Sequence, residues 1–239
     1  MRQFIDTGMT VSLFLAFRDP GNRTLRVDDG DLARFADIVA ATPNLSRALV
    51  YTPVTAEDPY LNQQVPPALA AQLYFTDIEP LEAALARNGH LQALAALASL
   101  AGAAASQQAM LARSYPVPEA APRCAPGTKR CSYLVCYEGS AEDLNAWLDH
   151  YIAHHPPIMA RFPGIREIEV CTRIDWRSFL PWPRSGSMLR NKVVFDDAAA
   201  LSAALASPVR HVMRADYKSF PPFTGPVLHD PMVTIELLP

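Results

Sequence analysis

The sequence predicts an α+β fold built from two tandem units, each in the order β-α-β-β-α-β. Three observations predict it: self-similarity at a constant offset of 120 residues, strand-like runs alternating with amphipathic stretches, and turn signals between them. Leu73-Tyr74-Phe75-Thr76-Asp77 stands 120 residues before Val193-Val194-Phe195-Asp196-Asp197, and Leu81, Ala84 and Leu85 stand before Leu201, Ala204 and Leu205. The same offset aligns Thr42-Pro43-Asn44-Leu45 with Phe162-Pro163-Gly164-Ile165, and Val11-Ser12-Leu13 with Cys131-Ser132-Tyr133.

The first strands are Thr10–Phe17 and Cys131–Tyr137, each closed by a turn signal. An amphipathic helix follows, Asp31–Ala41 in one copy and Ala141–His155 in the other, where Leu144, Trp147, Leu148, Tyr151 and Ile152 share a face. Ser140 with Asp143 resembles a capping box, and Pro156 is expected to end the helix because the residue before proline is pushed out of α space. Pro-Asn and Pro-Gly turns lead into the second strands, and long loops into the third, Ala68–Phe75 and Ser187–Phe195. Asp77 and Asp197 cap the second helices. The fourth strands are placed at Ala109–Val117 and Met232–Leu237.

This order is the split βαβ, or ferredoxin-like, pattern. Its helices cover one face of the sheet, so the other face needs a partner, and fusing two copies lets the sheets pack on each other. The proline-rich join Pro116–Arg130 reads as a surface linker with the boundary near residue 122, giving units 1–121 and 122–239.

With 239 residues, half of them hydrophobic, the chain has ample material for a core. A net charge of −3 leaves no basic excess to attract a nucleic acid backbone or an anionic membrane. No export signal or membrane span is read, and Cys124, Cys131, Cys136 and Cys171 have no zinc spacing. Reduced thiols in a cytoplasmic setting are the expectation.

The stretch Tyr133-Leu134-Val135-Cys136-Tyr137, then Trp147 through His150-Tyr151 to His154-His155-Pro156 and Phe162-Pro163-Gly164-Ile165, resembles the EthD-like group of the dimeric α/β-barrel superfamily. The resemblance covers roughly 45 residues and implies two ferredoxin-like sheets pairing into a barrel, here within one chain. Relatives in that superfamily include muconolactone isomerases, polyketide cyclases, small monooxygenases and haem-binding peroxidases. What they share is a cavity between helices and sheet that holds a small compound, often a carboxylate. Fold does not settle function.

Five of the six histidines and all three tryptophans lie in the second copy, which points to one candidate site and one scaffold. His155 matches the family's histidine and is the first choice for acid or base; the structural alternative is a histidine at a helix C-terminus. His154 is the fallback, since adjacent helix positions point about 100° apart. His150 and His154 are four apart, but no third metal ligand accompanies them, and no metal site is assigned. Tyr151, with Tyr137 and Tyr217, offers a phenol for proton donation.

The loop from Arg173 to Arg184 carries Arg173, Trp176 and Trp182, suited to a lid over a planar carboxylate or to packing against a partner. On the third strand Arg190 and Lys192 share one face and Asn191 the other, so either Arg190 or Asn191 reaches a cavity unless the charges face solvent. His229 stands just before the last strand. There is no GxSxG elbow, phosphate loop or HExxH.

The leading expectation is a cofactor-independent isomerase or hydrolase of aromatic-compound catabolism. His155 would move the proton of a carboxylate, lactone or ester substrate. The alternatives are a haem-dependent or cofactor-free oxidase or monooxygenase, and a non-catalytic binder of small acids. Whether the chain pairs into a homodimer stays open.

Overall fold

In a computed structural model, which describes residues 10–21, 25–61, 65–120 and 127–237, eight long strands hydrogen-bond side by side until the last meets the first. The first unit holds β1 (Thr10–Arg18), α1 (Asp29–Ala40), β2 (Leu45–Pro53), β3 (Leu69–Phe75), α2 (Ile78–Ala84) and β4 (Ala104–Tyr115). The second holds β5 (Lys129–Tyr137), α3 (Leu144–Met159), β6 (Glu167–Arg173), β7 (Leu189–Phe195), α4 (Ala198–Leu205), α5 (Pro208–Tyr217) and β8 (Val227–Glu236). Strand order is β4-β1-β3-β2 in one sheet and β8-β5-β7-β6 in the other, the same ferredoxin-like arrangement twice.

Two reciprocal seams close the barrel: β2 pairs with β8 from Leu49↔Glu236 to Pro53↔Met232, and β4 pairs with β6 from Met110↔Arg173 to Tyr115↔Ile168. Closure leaves the barrel no open sheet edge among the described residues. The expected α+β barrel within one chain is present. The boundary read at residue 122 falls on residues 121–126, outside the described residues, as does Cys124. Cys131, Cys136 and Cys171 are free and buried.

Strand alternation divides the side chains into two populations. On β1, Leu13, Leu15 and Phe17 join the core beneath the helices of the first unit, whereas Phe14 points into the barrel. The barrel interior carries polar groups between its apolar ones. Lys192, only 1% exposed, reaches Glu167 Oε1 at 2.9 Å and donates to the Tyr74 hydroxyl at 2.8 Å; Gln72 and Tyr74 both donate to Glu169 Oε1. The third-strand charges therefore do not all face water: Lys192 is enclosed, because the even positions of β7 point inward.

The same turn recurs in both copies. Asn44 and Gly164, 120 residues apart, both have φ in the left-handed region, 58° and 74°, where Gly and Asn are the tolerated residues. Asp77 and Asp197 cap α2 and α4 through their carboxylates.

Three expectations need correcting. The helix α3 starts at Leu144 with Asp143 as its cap, while Ser140 is held in a two-residue bridge to Thr224. It then runs through Pro156 and Pro157 to Met159. Proline removes a backbone donor and strains the preceding turn, but burial of Pro156, Met159 and Phe162 holds the last turn in place. The fourth strands start earlier than read, so His229 lies inside β8, paired with Val135, and not ahead of it.

Candidate active site

The second unit's helices stand off their sheet around a cavity of about 210 Å3. On α3, the Asp143 carboxylate accepts from the Ala146 amide at 3.0 Å, and Trp147, Tyr151, His155 and Met159 then recur at four-residue spacing on the buried face. Trp147 stacks on Tyr151 with ring centroids 5.3 Å apart, and the Tyr151 hydroxyl accepts a 2.6 Å hydrogen bond from the Asn191 amide. His155 follows with its ring 4.8 Å from that of Tyr151. The helix thus fixes one histidine over a rigid aromatic floor. His154, rotated away, is exposed and bonds through Nδ1 to the His150 carbonyl.

The helix α5 supplies the opposite wall. Pro208 at its first turn suits the start of a helix, and Val209, Met213 and Tyr217 are spaced by four. Arg210, Arg214 and Tyr217 line the cavity, and Asp216 turns toward α3. Strand β5 contributes Tyr133, Val135 and Tyr137, β7 contributes Asn191, Val193 and Phe195, and β8 contributes His229. Leu61 comes from the β2–β3 arm of the first unit, so the cavity is built by both units.

Electrostatics assigns the protons. Burial would raise the Asp216 carboxyl most, but the hydrogen bond from His155 and the charge interactions with His155, His150 and His154 together outweigh it and hold the group below its usual range. An ionised carboxylate only accepts, so His155 Nδ1 carries the proton in the 2.6 Å bond to Asp216 Oδ2. Burial lowers the His155 pKa, with Asp216 opposing, so the ring is neutral near pH 7 and Nε2 is its basic nitrogen. Asp216 also lies 3.6 Å from His150 Nε2. His229 is pushed down to about 4, first by burial and then by Arg210.

The two arginines differ. Arg210 donates to Asp58 Oδ2 through Nε and Nη2 at 3.0 and 2.9 Å, and the same oxygen accepts from the Tyr133 hydroxyl. Arg214 packs over the Tyr60 and Tyr217 rings and, among the described residues, has no carboxylate within ion-pair distance.

The structure brings His155, Asn191 and His229 to the cavity and places Tyr151 directly beneath it, bonded to Asn191. It does not bring His154, Arg173, Trp176, Trp182 or Arg190 there. Arg190 faces the barrel, its guanidinium 5.1 Å from the Phe14 ring. Arg173 is exposed at the end of β6.

The arginine and tryptophan loop is no lid over this cavity. It crosses to the first unit, where Trp176 and Leu180 enter the core, Trp182 meets Phe17 edge to face at 4.9 Å, and Arg177 pairs with Glu82. Its carbonyls at Leu180 and Trp182 accept from the Gln107 amide. The first unit's arm does the converse, sending Ala56 into the core of the second unit. Ala56 and Trp176 are equivalent in the repeat. A methyl enters the core of one unit where an indole enters that of the other.

Asp58, Arg210, Arg214 and Asp216 were not singled out from sequence. The available signal was Ser207-Pro208 followed by apolar residues at every fourth position, which marks α5 and puts Arg210 and Arg214 on one face. Nothing local marks Asp58.

No protein-family model and no curated protein sequence matches the chain. Solved structures do. An anthrone oxidase-like protein is 13% identical with a TM-score of 0.65, over 96% of this chain and 92% of that one. A protein described as a monooxygenase of Fusobacterium nucleatum is 6% identical with a TM-score of 0.56, over 97% and 94%. A chlorite dismutase variant from Candidatus Nitrospira defluvii is 9% identical with a TM-score of 0.52, over 95% and 92%.

The chain has the dimeric α/β-barrel fold. Two of these structures, the anthrone oxidase-like protein and the Fusobacterium nucleatum protein, are named for oxidation. These names overturn the expectation of an isomerase or hydrolase of aromatic catabolism. Among the described residues no helix is long and apolar enough to cross a membrane.

Proposed function

We propose that this dimeric α/β-barrel protein is an oxidase or monooxygenase acting in the second unit on an enolisable or phenolic compound, with His155 as its base. The observation that carries the reading is the 2.6 Å bond between His155 Nδ1 and Asp216 Oδ2 at the wall of an aromatic cavity. The pair fixes the tautomer, orients the ring and stabilises the imidazolium that forms when Nε2 takes a proton.

A haem, which other members of the superfamily hold, does not fit the residues present. The cavity of about 210 Å3 alone is below the ~300–1,000 Å3 typical of sites for drug-sized ligands, and a flat macrocycle would have to span it and the neighbouring cavity of about 230 Å3 across the Leu61, Tyr133 and His229 walls that the two share.

The oxidant is dioxygen. Nε2 removes a proton from a substrate C–H or O–H, leaving an electron-rich anion. One electron passes from the anion to dioxygen, and the resulting radical pair closes a carbon–oxygen bond to give a peroxide anion. The His155 imidazolium returns the proton. At a methylene carbon, loss of water from the hydroperoxide leaves a carbonyl, so CH2 and O2 become C=O and H2O. Arg214 supplies positive charge to the anion and to a carboxylate or phenolate on the substrate, and Arg210 adds to it despite its bond to Asp58. Tyr133, Tyr137, Phe195 and Tyr217 provide flat walls that exclude water.

Dioxygen consumption by the full chain, with anthrone and a set of phenols as probes, tests the reading. Uptake that depends on substrate and is lost in His155→Ala is expected. Absence of uptake across the set, uptake unchanged in His155→Ala, or a Soret band accompanying activity would overturn it.

A further inference from the structure

Beside the cavity lies a second one of about 230 Å3, and the two share Leu61, Tyr133 and His229 as walls. The remaining walls of this outer chamber come mostly from the first unit's arm, Pro53, Val54, Thr55 and Ala56, with Pro66 and Pro231 across from them. Neither chamber alone reaches the ~300–1,000 Å3 usual for a drug-sized ligand, and together they do.

The outer chamber differs chemically from the inner one. Three of its walls are prolines, which have no N–H to offer a ligand. The Val54 amide is already bonded to the Pro231 carbonyl at 3.2 Å. Its one carboxylate, Asp58, has Oδ2 committed to Tyr133 and to Arg210. The polar and charged groups that suit an anion, Arg214, Tyr217, His155 and Asn191, all stand on the inner side. Its aliphatic and proline walls, Pro53, Val54, Ala56, Leu61, Pro66 and Pro231, thus outnumber its polar ones, and its one charge is internally compensated.

We propose that this outer chamber is a second subsite of the same site and takes a neutral aliphatic arm of the substrate, held past Leu61 while the reacting ring lies beside His155. The inference rests on the oxidase reading for which part of the substrate reacts. It adds the substrate class: a phenol or enolisable ketone bearing an alkyl or acyl chain. Ala56 is a wall of this chamber, and an indole there, the side chain that its counterpart Trp176 packs into the first unit's core, would take up that room.

Calorimetric binding of phenol, 4-ethylphenol, 4-butylphenol and 4-hexylphenol to the full chain under argon tests the subsite. Affinity is expected to rise roughly fourfold per methylene group until the chamber is full. Ala56→Trp should flatten that rise and leave phenol binding within about twofold. Thr55→Trp, at an exposed wall position, serves if Ala56→Trp does not fold and should flatten it likewise. An affinity independent of chain length, or a rise that survives both variants, overturns the proposal. Chain-length dependence without any dioxygen uptake would sink the oxidase reading and leave the subsite standing; uptake with a flat series would do the reverse.

Discussion

Arg47 and Glu167 hold equivalent places in the two units, 120 residues apart, and bind each other in a two-point ion pair, Nη1 to Oε1 at 3.1 Å and Nη2 to Oε2 at 3.2 Å. Arg47 also reaches Glu236, and Glu167 also reaches Lys192. Although burial opposes both charges, the network keeps the arginine firmly protonated and the carboxylate well below its usual range. Two like residues at this place would repel. Arg47→Glu and Glu167→Arg should each lower stability by about 2–3 kcal/mol, short of the ~3–5 for a fully buried pair because the side chains keep 28% and 27% of their surface in solvent. Because Glu236 and Lys192 would then each face a like charge, the double reversal should recover less than half of the loss in urea unfolding; full recovery would mean that Arg47 and Glu167 act on each other alone.

Removing the base should separate chemistry from folding. His155→Ala is expected to lower kcat by roughly 10²–10⁴ with an unchanged far-UV spectrum. Asp216→Asn, which offers Nδ1 no ionised acceptor, should act through the imidazole and cost somewhat less. An Asp216→Asn enzyme with full activity would show that the carboxylate has no part in it.

The pH profile carries a sign. Because the folded His155 pKa lies below the ordinary value of 6.5, the neutral, active ring persists on acidification past 6.5, and kcat/KM should fall only below that pH. An acid limb centred above 6.5 would contradict this. His229, at about 4 when folded, binds protons less readily than in the unfolded chain. Its contribution to stability is therefore complete above about 6.5 and is lost as pH falls toward 4. Denaturation measured between pH 7 and 4 should show the loss, with a shallower slope in His229→Phe.

The crossing arm should behave as core. Trp176, 8% exposed against the first unit, is expected to cost about 3–5 kcal/mol when cut to alanine. Phenol binding in the second unit should not change. Lost binding with unaltered stability would restore the loop as a ligand lid.

The fold was legible where local chemistry recurs. Turns at Asn44 and Gly164 and caps at Asp77 and Asp197 depend on a few neighbouring atoms, so the repeat exposes them. His155 was singled out by its match to the family's histidine, and in the fold it continues the Trp147 and Tyr151 stripe. The run of α3 past Pro156 was not, because packing of Met159 and Phe162 outweighs a local preference. Nor was the destination of either arm. A loop rich in arginine and tryptophan looks the same in sequence whether it covers a ligand or another unit's core. Asp58 meets Arg210 across 152 residues, a contact that only barrel closure creates.

In a pair of identical chains every substitution lands twice, and an indole that closed one cavity would close its twin. Here the positions of Ala56 and Trp176 are inherited separately, although they are the same position in the repeat. One half can therefore take an indole into its core while the other keeps a methyl and the chamber beside it. Joining the halves turns a symmetric assembly into one whose two sides can diverge.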